Sequence, residues 1–317
     1  MEPVKISIII ASRNREAILW VSINKAVEAI DGKPAEIIVV NDGDLDLTPP
    51  QQVSGKIKYF KNPSRGVSSA RNYGASKASG EILFFVDDDM WINAAALDWI
   101  MARMSDKQSR EAVYNINWEY PLELYKKLSR NKVGRFLLQA NYNCMWGRMH
   151  EHGAQPGTGV YPFNSIASCS LVMQKNIFET LGGYNEQLIF QGEDIDLSNR
   201  LRLLSIPVFA VFDVTLFHNH QDRLEISGFL ARLSNGYNSE FKAVKAGIIR
   251  PLSSRRYNKS TRAMFELFRF SEAPLVSLFK IIPNHSFFKP PSNRLIGLLS
   301  GLARYKEWRA VFIGKDK

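Results

Sequence analysis

Two runs of consecutive β-branched residues, KISIIIA (Lys5–Ala11) and AEIIVVND (Ala35–Asp42), stand about 30 residues apart and leave few folds open to this chain. Neither run alternates with polar residues, so each reads as a strand covered on both faces. Between them Ile18, Leu19, Ile23, Ala26, Val27 and Ile30 recur at helical spacing. Parallel strands need a crossover of this kind, so the segment predicts a β-α-β unit in an α/β domain with a mostly parallel sheet. A short strand at 56–60 and a helix at 66–79, stopped by Gly80, then deliver the chain into EILFFV and the triplet Asp87-Asp88-Asp89. The acids therefore fall just past the carboxyl end of a central strand, where open α/β sheets place their ligands.

Three adjacent carboxylates cannot all stay ionised in a partly buried place without a cation, because desolvation and mutual repulsion both raise their pKa values. A divalent metal resolves the conflict; a solvated turn of capping acids is the structural alternative. Strand side chains alternate, so Asp87 and Asp89 share one direction and Asp88 turns to the other, where it is expected to matter least.

Downstream, helices are predicted at 94–104 and 122–139 and a Gly-rich loop at 147–159. The segment SIASCSLVMQKNIFETLGGYN reads as strand, helix and a Gly-Gly stop. In GEDIDLSNRLRLLS, Glu193 and Asp194 open a helix, where acids cap free N–H groups as readily as they do chemistry. Asp196 and Arg200, four apart, read as a surface pair. His218 and His220 end the strand PVFAVFDVTLFHNH and weakly suggest a metal ligand, while His150 and His152 read as solvated. Trp91, Tyr142, Trp146 and Tyr161 are candidates for stacking on a ligand or for ordinary half-buried packing.

Composition enters chiefly through charge. Residues 221–317 hold 18 Lys and Arg against 7 Asp and Glu, a net of +11 within a whole-chain +10. That asymmetry asks for an anionic partner of the C-terminal third. Leu295, Leu298, Leu299 and Leu302 form an apolar stripe flanked by Arg294, Arg304, Lys306 and Arg309, which can lie on an anionic bilayer or pack on protein. Cys144 and Cys169 have no zinc spacing and read as thiols of a reducing compartment. No apolar run reaches the ~18 residues of a membrane span.

The ordered set ISIIIASRNR, EIIVVNDG, GVSSARNYGASKASGEILFFVDDD, GGYNE and FQGEDIDLSNRL resembles the GT-A glycosyltransferases of family 2 over residues 4 to 220. The resemblance implies a Rossmann-like GT-A domain at 1–222, with a donor half at 1–105 and an acceptor half at 106–222. A basic, largely helical region follows at 223–317. It further implies an inverting transferase that moves a sugar from a nucleotide diphosphate, expected to be a UDP-sugar, to a hydroxyl of a glycan or lipid-linked saccharide with the help of Mn2+ or Mg2+.

Carried over position by position, Ala11, Arg13, Asp42, Arg71, Asp87 and Asp88 would bind the nucleotide sugar. Asp89 and His218 would hold the metal, and Asp194, with Glu193 as its competitor, would be the base. Relatives carry Pro-Thr-Tyr-Asn-Arg where this chain has Ala11-Ser12-Arg13-Asn14-Arg15, so Arg13 replaces a ring that could stack on the base. The resemblance also predicts a cytoplasmic protein, peripheral on the inner face of the plasma membrane, with no nucleic-acid partner and a homodimer as one arrangement.

Other readings fare worse. A sugar nucleotidyltransferase needs a Gly-rich phosphate loop after the first strand, and ASRNREA has no glycine. A haloacid-dehalogenase-type phosphatase carries its D-x-D on the first strand, not the fourth. A carbohydrate- or lipid-binding scaffold without turnover would not need Asp87, Asp89 and Asp194 together.

Overall fold

The computed structural model describes residues 6–139, 158–189, 191–219, 224–249, 257, 259–268, 270–285 and 288–313. His150, His152, Tyr142, Cys144, Trp146 and His220 lie outside the described residues. The chain folds as two compact units, Met1–Tyr120 with Cys144–Asn219, and Pro121–Asn143 with His220–Lys317.

The first unit is built on one mixed sheet. Its strands are β1 (Ile6–Ser12), β2 (Ala35–Asn41), β3 (Lys58–Lys61), β4 (Ile82–Asp87), β5 (Met90–Trp91), β6 (Val113–Glu119), β7 (Val160–Phe163), β8 (Ser170–Gln174) and β9 (Val208–His218). They run in the order β3-β2-β1-β4-β8-β6-β9-β5, with β7 paired to β9. β3, β2, β1 and β4 are mutually parallel, β8 is antiparallel to β4 and β6, and β9 is parallel to β6. The sheet is mostly parallel, as the uninterrupted apolar runs predict; Ile6, Ile8, Ile9, Val39, Val40, Phe84 and Phe85 are buried on both faces.

Helices α1 (Glu16–Ala29), α2 (Gln51–Ser54), α3 (Val67–Lys77) and α4 (Ala94–Ser105) belong to this unit, as do α7 (Lys175–Thr180) and α8 (Glu193–Leu203). α3 has a weak apolar pattern in sequence, yet it sits close on the sheet because its inner face is small. Ser68, Ser69, Ala70, Gly74 and Ala75 are buried, and a Cβ at Gly74 would come within 2.5 Å of Ile9 Cγ2. A larger side chain there would lift α3, and with it Arg71.

The second unit is helical: α5 (Leu122–Ser129), α6 (Lys132–Gln139), α9 (Ile226–Lys245), α10 (Lys259–Phe268), α11 (Glu272–Ile281) and α12 (Lys289–Phe312). α12 is its centre and packs against α9, α6, α10 and α11. Leu295, Leu299 and Leu302 are buried and Leu298 packs on the cluster of Phe265, Leu302 and Tyr305. The apolar stripe is thus covered by protein of its own unit, which overturns the reading of that stripe as a bilayer-facing one. Periodicity reports that a face is covered, not by what.

Candidate active site

The carboxyl ends of β1, β2 and β4 come level at one edge of the sheet. Register sets Ala11 beside both Val40 and Asp87, and Ser12 beside Asn41, so the loops after all three strands open at the same place. A tight turn then reverses the chain after Asp87, and β5 pairs with the end of β9, Met90 against His218. The turn is fastened by the Asn219 N–H, which donates to the Asp89 carbonyl at 2.7 Å. Two segments 129 residues apart meet there: His218 Nε2 lies 2.9 Å from Asp89 Oδ1.

Ligand atoms of Asp87, Asp89 and His218 all lie within 4.8 Å of one another. Two carboxylate oxygens and an imidazole nitrogen suit Mn2+ or Mg2+, and the donor set fits such an ion. The Trp118 ring stands perpendicular to the imidazole with ring centres 4.6 Å apart and covers one side of it.

Asp88 is buried rather than turned to solvent. Ser12 Oγ donates to it at 2.6 Å and Arg15 Nη1 also donates to it, while Arg15 Nη2 donates to Asp89 at 2.8 Å. Burial pushes the Asp88 carboxyl up to about 7, and Arg15 works against that rise. Asp88 is thus directed away from the Asp87, Asp89 and His218 cluster, and together with Asp89 it holds Arg15.

A second acidic pair stands across Arg71. This arginine is 4% exposed; Nη2 donates to Asp87 at 2.8 Å and Nη1 to Glu193 at 3.0 Å, and its guanidinium lies 5.3 Å from the centre of the Tyr184 ring. Burial works against its charge, but Asp87, Tyr184, Glu193 and Asp194 outweigh it and its pKa is raised. Glu193 is pushed up to about 7 by burial and then by Asp194, with Arg71 opposing. Burial likewise raises Asp194, against Arg71 and two hydrogen bonds from Ser168. The Ser168 N–H donates to Asp194 Oδ1 at 3.1 Å, Ser168 Oγ donates to the same oxygen, and Tyr184 Oη donates to Ser168 Oγ at 2.9 Å. Gly192, at φ 105°, makes the left-handed entry that turns both acids inward at the start of α8.

The pocket edge near β2 is anchored differently. Asp42 Oδ1 accepts from Asn62 Nδ2 at 2.7 Å and from the Gly66 N–H at 2.9 Å, while Arg13 stands 3.9 Å from Oδ2 and 3.7 Å from Asp44. Arg13 is half-exposed and Ala11 half-buried at this edge. Trp91 is half-buried in β5 and Tyr161 half-buried in β7.

The residues missed from sequence are Ser12, Arg15, Ser168, Tyr184 and Asn219. Arg15 is visible as one of two arginines in SRNR, but its partners lie 73 and 74 positions away. Nothing in ASCS marks Ser168 out from Ser165 or Ser170.

Residues 7–155 match the family model described as glycosyl transferase family 2. Over 109 residues the chain is 34% identical to the GalNAc(5)-diNAcBac-PP-undecaprenol beta-1,3-glucosyltransferase of Campylobacter jejuni, a stretch that is 32% of this chain and 35% of that protein. It is 27% identical over 116 residues to the putative glycosyltransferase EpsH of Bacillus subtilis, covering 34% of this chain and 32% of that protein. The matched stretches span about a third or less of the curated relatives' length.

Among solved structures, the mannosyltransferase PcManGT of Pyrobaculum calidifontis, in complex with GDP-Man and Mn2+, aligns at TM-score 0.53 and 13% identity over 97% of this chain and 87% of that one. GalNAc-T7 with UDP, GalNAc and Mn2+ aligns at 0.51 and 14% identity over 98% of this chain and 57% of that one. These two establish the GT-A fold.

Proposed function

We propose that this chain, whose residues 7–155 match the model of glycosyl transferase family 2, transfers a sugar, with inversion, from a nucleoside diphosphate donor to a hydroxyl group of a glycan or lipid-linked saccharide. One observation carries the reading: a metal-capable cluster, Asp87, Asp89 and His218, and a buried acid pair of raised pKa, Glu193 and Asp194, are joined by the single guanidinium of Arg71.

Asp89 and His218, with Asp87 beside them, would hold a divalent cation, and that ion supplies charge stabilisation for the departing diphosphate. Asp87 is half-exposed at the cluster's edge, where it would also meet the donor ribose. Asp42 Oδ2, whose sister oxygen is taken by Asn62 and Gly66, would accept from a uracil N–H, which is why the donor is proposed to be a UDP-sugar. Arg13 would flank the base with its guanidinium, and Ala11 would leave room for it.

On the acceptor side, both Ser168 donors fall on Asp194 Oδ1 and leave Oδ2 to take the acceptor's proton. A raised pKa suits that role, since a base works best when its pKa lies near the working pH. Glu193 is engaged by Arg71 and is better placed to hold that arginine than to move a proton. Asp194→Asn is expected to lower kcat by a factor of about 10²–10⁴ with donor KM unchanged, and Glu193→Gln by far less. Near-normal transfer by Asp194→Asn would remove this assignment.

A further inference from the structure

Helices α10 and α11 are apolar on two faces, and α12 covers only one. On the inner side Phe265 and Phe279 are buried, and Phe268 and Leu275 pack on the cluster around Leu302 and Tyr305. On the outer side Leu267 is 77% exposed, Ile281 76%, Leu278 47% and Met264 42%. In each helix the outer pair is spaced three apart, so it forms a continuous stripe along one face. A helix resting on a protein surface in water normally carries polar side chains on that outer face.

Charge says what the stripe can meet. The two acids of these helices are engaged by α12: Glu266 accepts from Tyr305 Oη at 2.7 Å and Arg309 Nε at 2.9 Å, and Glu272 pairs with Lys306 at 2.6 Å. Lys280 stays exposed next to Ile281, within a C-terminal third of net charge +11. A second copy docking through the same patch would set that positive region against itself, because a two-fold contact is self-complementary. An anionic lipid surface meets both properties at once.

We propose that the outer faces of α10 and α11 rest on an anionic bilayer, with Leu267, Ile281, Leu278 and Met264 sunk into the headgroup boundary and the basic residues of the unit against lipid phosphates. The association is a surface one: among the described residues no helix is long and apolar enough to cross a membrane. The proposal is independent of the catalytic assignment, since it involves none of its residues.

Sedimentation of the full chain with vesicles of phosphatidylcholine, with and without phosphatidylglycerol, tests it. The unchanged protein is expected to bind the anionic vesicles at least about tenfold more tightly than the neutral ones, and to lose that preference in high salt. Leu267→Glu with Ile281→Glu should lower the partition at least about tenfold; both sites are exposed, so an unchanged melting temperature is expected and is checked alongside. Leu203→Glu, at a 79% exposed leucine of the first unit, should leave binding as it was. The proposal is overturned if anionic vesicles do not bind the protein or if the double variant binds as well as the original. It is equally overturned if analytical ultracentrifugation shows a dimer that the double variant dissociates.

Discussion

Replacing Arg71 by Met removes the cation that two acid clusters share, while the thioether chain fills much of the space left by the arginine stem. Stripping one partner from a buried ion pair costs about 3–5 kcal/mol, because the remaining charge is left without compensation. Asp87 can recover part of that from water, its side chain being 35% exposed, but the Glu193 side chain at 12% cannot. The loss should therefore centre on Glu193 and Asp194 and depend on their ionisation.

An acid whose folded pKa lies above its unfolded value binds more protons when folded, so stability falls as pH rises through that interval. In the unchanged protein the interval for Glu193 ends at about 7; without Arg71, which opposes the rise, it extends further up. Below pH 6 both proteins hold Glu193 protonated, and the variant's deficit should be its smallest. Above pH 7 the deficit should grow by about 1.4 kcal/mol per pH unit for each acid concerned, the free energy of one pKa unit. Urea unfolding of both proteins between pH 5.5 and 8.5 reads this directly. A deficit of the same size at both ends of the range would refute the electrostatic account of Arg71 and leave only lost packing.

Further expectations follow from the same contacts. Ser168→Ala removes the hydroxyl donor that lowers Asp194, so the acidic limb of the kcat profile should move to higher pH and activity at pH 6.5 should suffer more than at pH 8.5; a limb that stays in place would detach Ser168 from the base. Gly43→Ala would set a Cβ 2.6 Å from Asn14 Oδ1 and 2.8 Å from Asn41 Oδ1. It should cost about 1–3 kcal/mol by crowding, whereas Gly55→Ala, with nothing within 4 Å, should cost little; thermal melts of the pair check the contrast.

What can be read from sequence is what repeats or recurs locally. Uninterrupted β-branched runs point to buried parallel strands, and the position of Asp87 and Asp89 after one of them puts them at the ligand-binding edge. Their meeting with His218 rests on the pairing of β5 with β9, which no local pattern encodes. Arg15 and Ser168 escape for the same reason: each owes its importance to partners tens of residues away, and an isolated Arg or Ser looks like any other. Asp88 turns away from the Asp87, Asp89 and His218 cluster, as strand alternation predicts, but the contacts with Ser12 and Arg15 that it makes there are not encoded locally. The α12 stripe faces protein because α9, α10 and α6 cover it, while the outward leucines of α10 and α11 are hard to pick out, being mixed with inward phenylalanines at close spacing.

The most direct test of the central claim is the melting temperature of the protein against a panel of nucleoside diphosphate sugars, measured in Mn2+ and in EDTA. At a ligand concentration of about 100 times Kd the native state gains about 2.7 kcal/mol, worth roughly 5–10 °C for units of this size. At least one donor, expected to be a UDP-sugar, should give such a rise in Mn2+ and lose it in EDTA and in Asp89→Asn. A panel in which no donor stabilises the protein, or in which the rise survives both EDTA and Asp89→Asn, would contradict the metal-assisted nucleotide-sugar site built on Asp87, Asp89 and His218.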